Sequence, residues 1–269
     1  MKTSLKYILI VFAAFAIRVS YAQKLPNKQL VNLRANSNMQ TDGKATDWNN
    51  RFEAFNRSTE VYYSISNDDE NIYFIIRAVN EDIVRRIVSG GIKLTFKEPG
   101  ENTKGKNIQI TYPALQQYVN FKLSSRKSEV PDTTAKTADS IKSYNNDLVS
   151  KNCKWIKVIG VKNLDTLISI YNTDGIKAYG LFDKKRNYTC EFSISLKNLG
   201  LSIEKSNLIS YNLQVNGTAP SVHSEIYGKV DDPKKEAILQ AFLDNANAKW
   251  DQLSSPTYFS GEYILAKKP

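Results

Sequence analysis

From Thr59 to Ser66 the apolar side chains Val61, Tyr63 and Ile65 alternate with polar or amphipathic neighbours, the period-two pattern of a strand with one face buried. Asn67-Asp68-Asp69-Glu70-Asn71 follows, a run with turn chemistry. Ile72 to Val79 is then apolar on both alternations, as expected of a central strand covered on both faces. These segments predict a hairpin, preceded by an Asp42-Gly43 turn and the large aromatic Trp48.

The same period recurs down the chain. Ile92, Leu94 and Phe96 predict a third strand after Gly90-Gly91, and Ile108, Ile110 and Tyr112 a fourth, closed by Pro113. Trp155 to Val161, Thr166 to Tyr171 and Ile176 to Phe182 read as three successive strands, the last two joined by Asn172-Thr173-Asp174-Gly175 as a hairpin turn. Tyr188 to Ile194, Ile209 to Val215 and Tyr258 to Ala266 complete the set. Glu81 to Ser89 is polar with scattered Ile83, Val84, Ile87 and Val88, and no element is assigned to it. One helix is expected late, where Ile238, Phe242, Ala246, Trp250 and Leu253 recur at three- and four-residue spacing between Pro233 and Pro256, with Asp231 or Asp232 as its cap. The expected fold class is all-β, an antiparallel β-sandwich of immunoglobulin-like or jelly-roll-like type with one late helix and a polar insertion. Trp48, Phe74, Ile76, Phe192, Leu213 and Val215 are its expected core residues.

No Pro/Gly/Ser linker divides the chain, so residues 23–269 are read as a single domain. Within it, residues 124–152 are rich in Ser, Thr, Lys, Asp and Asn, and are expected to form a mobile insertion carrying a short helix from Asp139 to Ser150. Residues 1–22 read as a signal peptide: Lys2 and Lys6 precede the apolar run Tyr7 to Ile17, and Ser20-Tyr21-Ala22 offers a cleavage site before Gln23. The run is shorter than a bilayer span needs. The expected location is therefore secreted or periplasmic, with no transmembrane segment in the mature chain. Loss of the leader lowers the formal charge from +10 to +7. The remaining charge is spread along the chain without a basic stripe or a nucleic-acid motif, so no nucleic acid partner is expected.

Asp42, Gly43, Asp47 and Trp48, followed by a strand, an acidic turn and Asn71-Ile72-Tyr73-Phe74, resemble the opening of family 9 carbohydrate-binding modules and of the wider DOMON-like superfamily. Ser193 to Leu201 is similar to the strand and following Leu-Gly turn of the same group. The resemblance covers about Leu33 to Lys267. It implies a non-catalytic sandwich that binds a poly- or oligosaccharide, attached, where linked to catalysis, to glycoside hydrolysis. A calcium ion is a further implication, since related modules hold such ions; Asp42, Asp47, Asp68 and Asp69 are the oxygen-ligand candidates, although their spacing is not that of a helical calcium loop.

The rest of the chemistry is read from residue counts. A single histidine, His223, excludes any triad or metal cluster that needs two imidazoles in one chain. No phosphate loop, nucleophile elbow or zinc motif is present, while a pair of carboxylates for glycoside hydrolysis is not excluded by counting. Haem ligation as in some DOMON domains would have to use Met39 and His223. Saccharide rings stack on exposed aromatics, and Trp155, Trp250, Tyr118 and Tyr179 are the candidate ligand-binding residues, with Tyr62 a further one; Trp48 belongs to the scaffold. Cys153 and Cys190 either pair across a loop or remain as buried free thiols. An envelope protein partner, with no sugar ligand, is the alternative function.

Overall fold

The computed structural model describes residues 24–97, 107–124, 137–204, 208–218 and 233–268. The ten predicted strands, with two short ones that the sequence pattern does not mark, Leu33–Arg34 and Ala54–Asn56, assemble into two six-stranded sheets that pack face to face. In the first, β1 (Leu33–Arg34), β3 (Val61–Asn67), β4 (Asn71–Ala78), β10 (Tyr188–Ser195) and β9 (Ile176–Phe182) lie in that order, with β2 (Ala54–Asn56) also on β3. In the second the order is β12 (Thr257–Ile264), β11 (Leu208–Val215), β5 (Ile92–Phe96), β6 (Ile108–Tyr112), β7 (Trp155–Ile159) and β8 (Leu167–Ser169). All pairings are antiparallel except that of β1 with β3. The chain is an antiparallel-rich β-sandwich.

The six expected core residues are all buried. Period two explains how: Ile72, Phe74, Ile76 and Ala78 of β4 face the second sheet, where Phe74 meets the rings of Phe96 and Tyr211 edge-on, with centroids 5.9 and 5.7 Å away. Phe192 approaches Tyr112 across the same gap. The other alternation of β4, Tyr73 and Ile75, is covered by Ala45 and Trp48, with Ala35, Met39 and Phe52 at the rim. That second cluster is the reason β4 is apolar on both faces.

One side chain fastens this cover. Glu191 of β10 lies opposite Ile75 on the outer face, and its Oε2 accepts the backbone N–H groups of Asp42 and Gly43 at 2.9 and 2.7 Å. Its Oε1 accepts the indole N–H of Trp48 at 2.8 Å. Gly43 has φ +78°, and a Cβ there would come within 2.9 Å of the Leu181 backbone nitrogen, so the turn needs glycine on both counts. The Asp42 to Trp48 sequence thus acts as a latch on the first sheet.

Two local readings are corrected by the structure. Glu81–Gly90 is a helix, α1, because Ile83, Val84, Ile87 and Val88 fall at helical spacing on one buried face; Asn80 caps it by accepting the Asp82 N–H, and Gly91 ends it at φ +83°. The Asn172 to Gly175 turn does not close a hairpin. β8 pairs with β7 in the second sheet and β9 with β10 in the first, so the turn carries the chain across the sandwich. Asn172 holds it by donating from Nδ2 to the carbonyls of Ser169 and Ile176, and Asn198 donates to the Asp174 carbonyl. Local turn chemistry is the same for both outcomes; the partner strands decide between them.

The helix expected over Asp139 to Ser150 runs from Ala138 to Asn152 (α2), capped by Thr137, and buries Ile141, Asn145 and Val149. Residues 125–136 of the insertion lie outside the described residues, as do the leader, both aspartates proposed as caps of the late helix, and His223. The late helix itself, α3, spans Pro233–Ser254. Cys153 and Cys190 are buried free thiols, and burial pushes the Cys153 thiol up to about 12. No described helix is long and apolar enough to cross a membrane.

Replacing Phe192 by Ala should lower the unfolding free energy by about 3–5 kcal/mol in urea titration; a loss below about 1 kcal/mol would show that the site refills. Glu191 gives a pH signature. Burial, opposed by the three N–H donors, raises its carboxyl from 4.5 to about 7 in the folded chain. Between those values the folded state holds the proton and the unfolded state does not, so stability is greatest below ~4.5 from this group and falls as pH rises through ~7. The expected loss is on the order of 3 kcal/mol across that window. Glu191→Gln should be less stable because its amide N–H opposes a donor, yet should lack this slope; an unchanged slope in that variant would assign the titration elsewhere.

Candidate functional site

Three backbone segments meet without side chains between them at one end of the sandwich: the last turn of α1, the chain leaving β11, and the end of α3. A Cβ on Gly90 would lie 2.2 Å from the Gly217 carbonyl oxygen, and one on Gly217 would lie 1.5 Å from the Ser254 carbonyl oxygen. Asn216 donates from Nδ2 to the Gly90 carbonyl, and the Thr218 N–H donates to the Leu253 carbonyl. Arg86, buried in α1, reaches the same junction: its Nη2 donates to the Val215 and Ser255 carbonyls and to the Thr257 hydroxyl. Burial lowers the pKa of this guanidinium.

Against that junction the chain following β6 folds as a loop, residues 113–124. Leu115, Phe121 and Leu123 rest on the main core, the Ala114 N–H donates to the Trp155 carbonyl, and Asn145 of α2 accepts the Ser124 N–H. The loop and the junction enclose an open cleft of about 550 Å³. Leu115, Phe121 and Leu253 give it an apolar wall, and Arg85, Gln116, Gln117 and Asn120 a polar rim. Tyr118 stands on that rim with 63 % of its surface exposed. The three amide side chains make no hydrogen bond to other described residues. Each therefore presents donors and an acceptor to solvent. No carboxylate is among the described lining residues.

Of the aromatics singled out from sequence, Tyr118 lines this cleft. Trp155 does not: it lies on the outward side of β7, half-buried, at the base of the loop, and shares that side with Lys157 and Ile159. Tyr179 is half-buried on β9 in the other sheet and packs beside the main core. Trp250 lies in α3 one turn before the cleft residue Leu253, and its side chain is outside the described residues. Tyr62 is engaged by the rings of Phe52 and Phe55. Tyr118, Trp155 and Tyr179 thus do not form one platform. The amides of the rim were missed, although Gln116-Gln117-Tyr118 and Asn120, polar residues straight after a strand-ending proline, are a sequence signal.

The four aspartates each have partners within the protein. Asp42 pairs with Lys44 at 2.6 Å, and Asp47 accepts the Gln40 N–H. Asp68 accepts the Glu70 and Asn71 N–H groups and the Tyr73 hydroxyl. Asp69 is bridged by Arg34 and Lys268, whose hydrogen bonds, Lys268 foremost, hold its carboxyl below the usual range. Among the described residues no three His, Cys, Asp or Glu side chains group as a metal site. Met39 packs at the rim of the Trp48 cluster.

In comparison with known proteins, the chain matches no protein-family model and no curated protein.

The backbone at Gly217 touches that of Ser254, next to the cleft residues Thr218 and Leu253, so Gly217→Ala should force the segments apart and cost about 1–3 kcal/mol of stability in thermal or urea unfolding. An unchanged midpoint would mean that the three segments are not held together as described.

Proposed function

We propose that this chain is an exported, non-catalytic carbohydrate-binding module of the family 9-like kind, and that it holds its saccharide in the Tyr118 cleft. The observation that carries the reading is the pairing, on one rim, of an exposed aromatic ring with three amides that have no hydrogen-bond partner among the described residues. A pyranose presents C–H groups on its faces and hydroxyls, each donor and acceptor, around its edge. The Tyr118 ring suits the first, and Gln116, Gln117 and Asn120 suit the second. The cleft volume lies within the range of small-ligand sites, with an apolar wall and a few oriented polar groups. The leader sequence and the Asp42 to Trp48 resemblance support export and the family-like reading. Trp155, beside the loop on the sheet surface, would extend the contact only for a ligand that leaves the cleft.

The test is a glycan array of the chain without its leader, followed by titration of the best ligand with the Tyr118→Ala and Asn120→Ala variants. Tyr118→Ala is expected to keep its circular dichroism and to lose about tenfold or more in affinity, equivalent to ~1.4 kcal/mol. Full affinity in both variants would place the sugar elsewhere. Absence of binding across plant, bacterial and host glycans would sink the carbohydrate reading and favour an envelope protein partner, to be sought by co-purification.

A further inference from the structure

A second cleft, on the first sheet and sharing no described lining residue with the first, gathers cations around a half-buried arginine. Arg77 of β4 lies on the outer alternation of that strand, beyond the Trp48 cluster. Its Nε donates to the Thr189 hydroxyl at 3.0 Å, and its guanidinium lies 4.7 Å from the centre of the Phe52 ring. It forms no ion pair among the described residues. Burial lowers its pKa, the negative field of Asp183 being a smaller, opposing influence. The Asp183 carboxylate is itself occupied by its own turn: Oδ1 accepts the Lys185 and Asn187 N–H groups, and Oδ2 accepts the Asn187 side-chain amide. A guanidinium taken partly out of water without a carboxylate partner is costly, and a bound anion would offset that cost.

The walls of this cleft, about 430 Å³, supply further positive charge. Lys142 of α2 faces in from one side, half-buried and without an ion-pair partner among the described residues. Its helix is held in place one turn on, where Asn146 accepts the Phe182 N–H at 2.7 Å and returns a bond to the Phe182 carbonyl. Lys44 and Lys184 line the rim, balanced by Asp42 and Asp139, which do not line the cleft; Asp183 does line it, its carboxylate held by its own turn. Thr46 and Asn50 add a hydroxyl and an amide beside these charges. A volume of this size accommodates more than a lone ion. The combination of a fork-shaped cation with neutral donors and acceptors suits a carboxylate carried on a hydroxylated ring.

We propose that the Arg77 cleft binds the carboxylate of a uronic acid unit, as a second ligand site separate from the Tyr118 cleft. The choice of a sugar acid rests on the carbohydrate reading; the oxyanion site itself rests on Arg77 and Lys142. In calorimetric titration of the full chain, an oligogalacturonate should bind, its methyl ester should bind about tenfold more weakly or worse, and raised salt should weaken the acid form. Lys142→Gln should reduce affinity by about tenfold with an unchanged unfolding midpoint, and Arg77→Lys, which keeps the charge and loses the fork, should reduce it by a similar factor. Tyr118→Ala should leave this binding intact, which separates failure of one site from failure of the other. Equal affinity for acid and ester would overturn the proposal, as would loss of binding in Tyr118→Ala with retention in Lys142→Gln. Binding of inorganic phosphate with none of oligogalacturonate would reduce the cleft to a simple oxyanion site and overturn the sugar-acid assignment, and no binding of any anion would overturn both.

Discussion

The first sheet depends on one buried carboxylate. Glu191 sits on the outer face of β10, in a position where most neighbours are apolar, and receives three N–H donors from a segment more than 140 residues earlier in the chain. A carboxylate without those donors would be expelled toward solvent. With them it orders the Asp42-Gly43 turn, orients the Trp48 ring over Tyr73 and Ile75, and seals the face of the central strand β4. The strand pairing of β4 with β10 is therefore braced from outside as well as from the sandwich core.

That brace also sets the surroundings of the Arg77 cleft. The Trp48 segment covers one end of the outer face, and the Asp183 to Asn187 turn and α2 bound the other. Arg77 occupies the strip between them, where the cover ends. The Tyr118 cleft arises by a different construction at the glycine junction, where the absence of side chains lets α1, β11 and α3 touch through their backbones. The two clefts have different chemistry for this reason: one is lined by a loop that carries exposed amides, the other by charges from a turn and a helix.

Much of the sandwich was legible before any coordinates. Period-two alternation located the strands because each has one face in water or against the cover and one in the core, and that difference is written into residue order. The turn residues Asp42-Gly43 and Asn172 to Gly175 were recognisable as turns for equally local reasons. Helix α1 was legible too, since Ile83 and Ile87, with Val84 and Val88, repeat every four residues; its short length and charged composition concealed it.

Which strands the turns join was a tertiary decision. Asn172 to Gly175 carries turn chemistry suited to a hairpin, and only the competition among β7, β8, β9 and β10 for edges makes it a crossing between sheets. The same holds for the candidate sites. Exposure of an aromatic depends on what packs over it, so Trp155, Tyr118 and Tyr179, equivalent on paper, separate onto a sheet surface, a cleft rim and a core margin. Arg77 and Lys142 are 65 residues apart in sequence and line one cleft only because α2 docks on the end of β9. By itself the sequence determined the strands, the two-faced centre and the turn chemistry, which depend on neighbours within a few residues. The folded chain decided the crossings, the Glu191 latch and both clefts, which depend on residues that no local pattern connects.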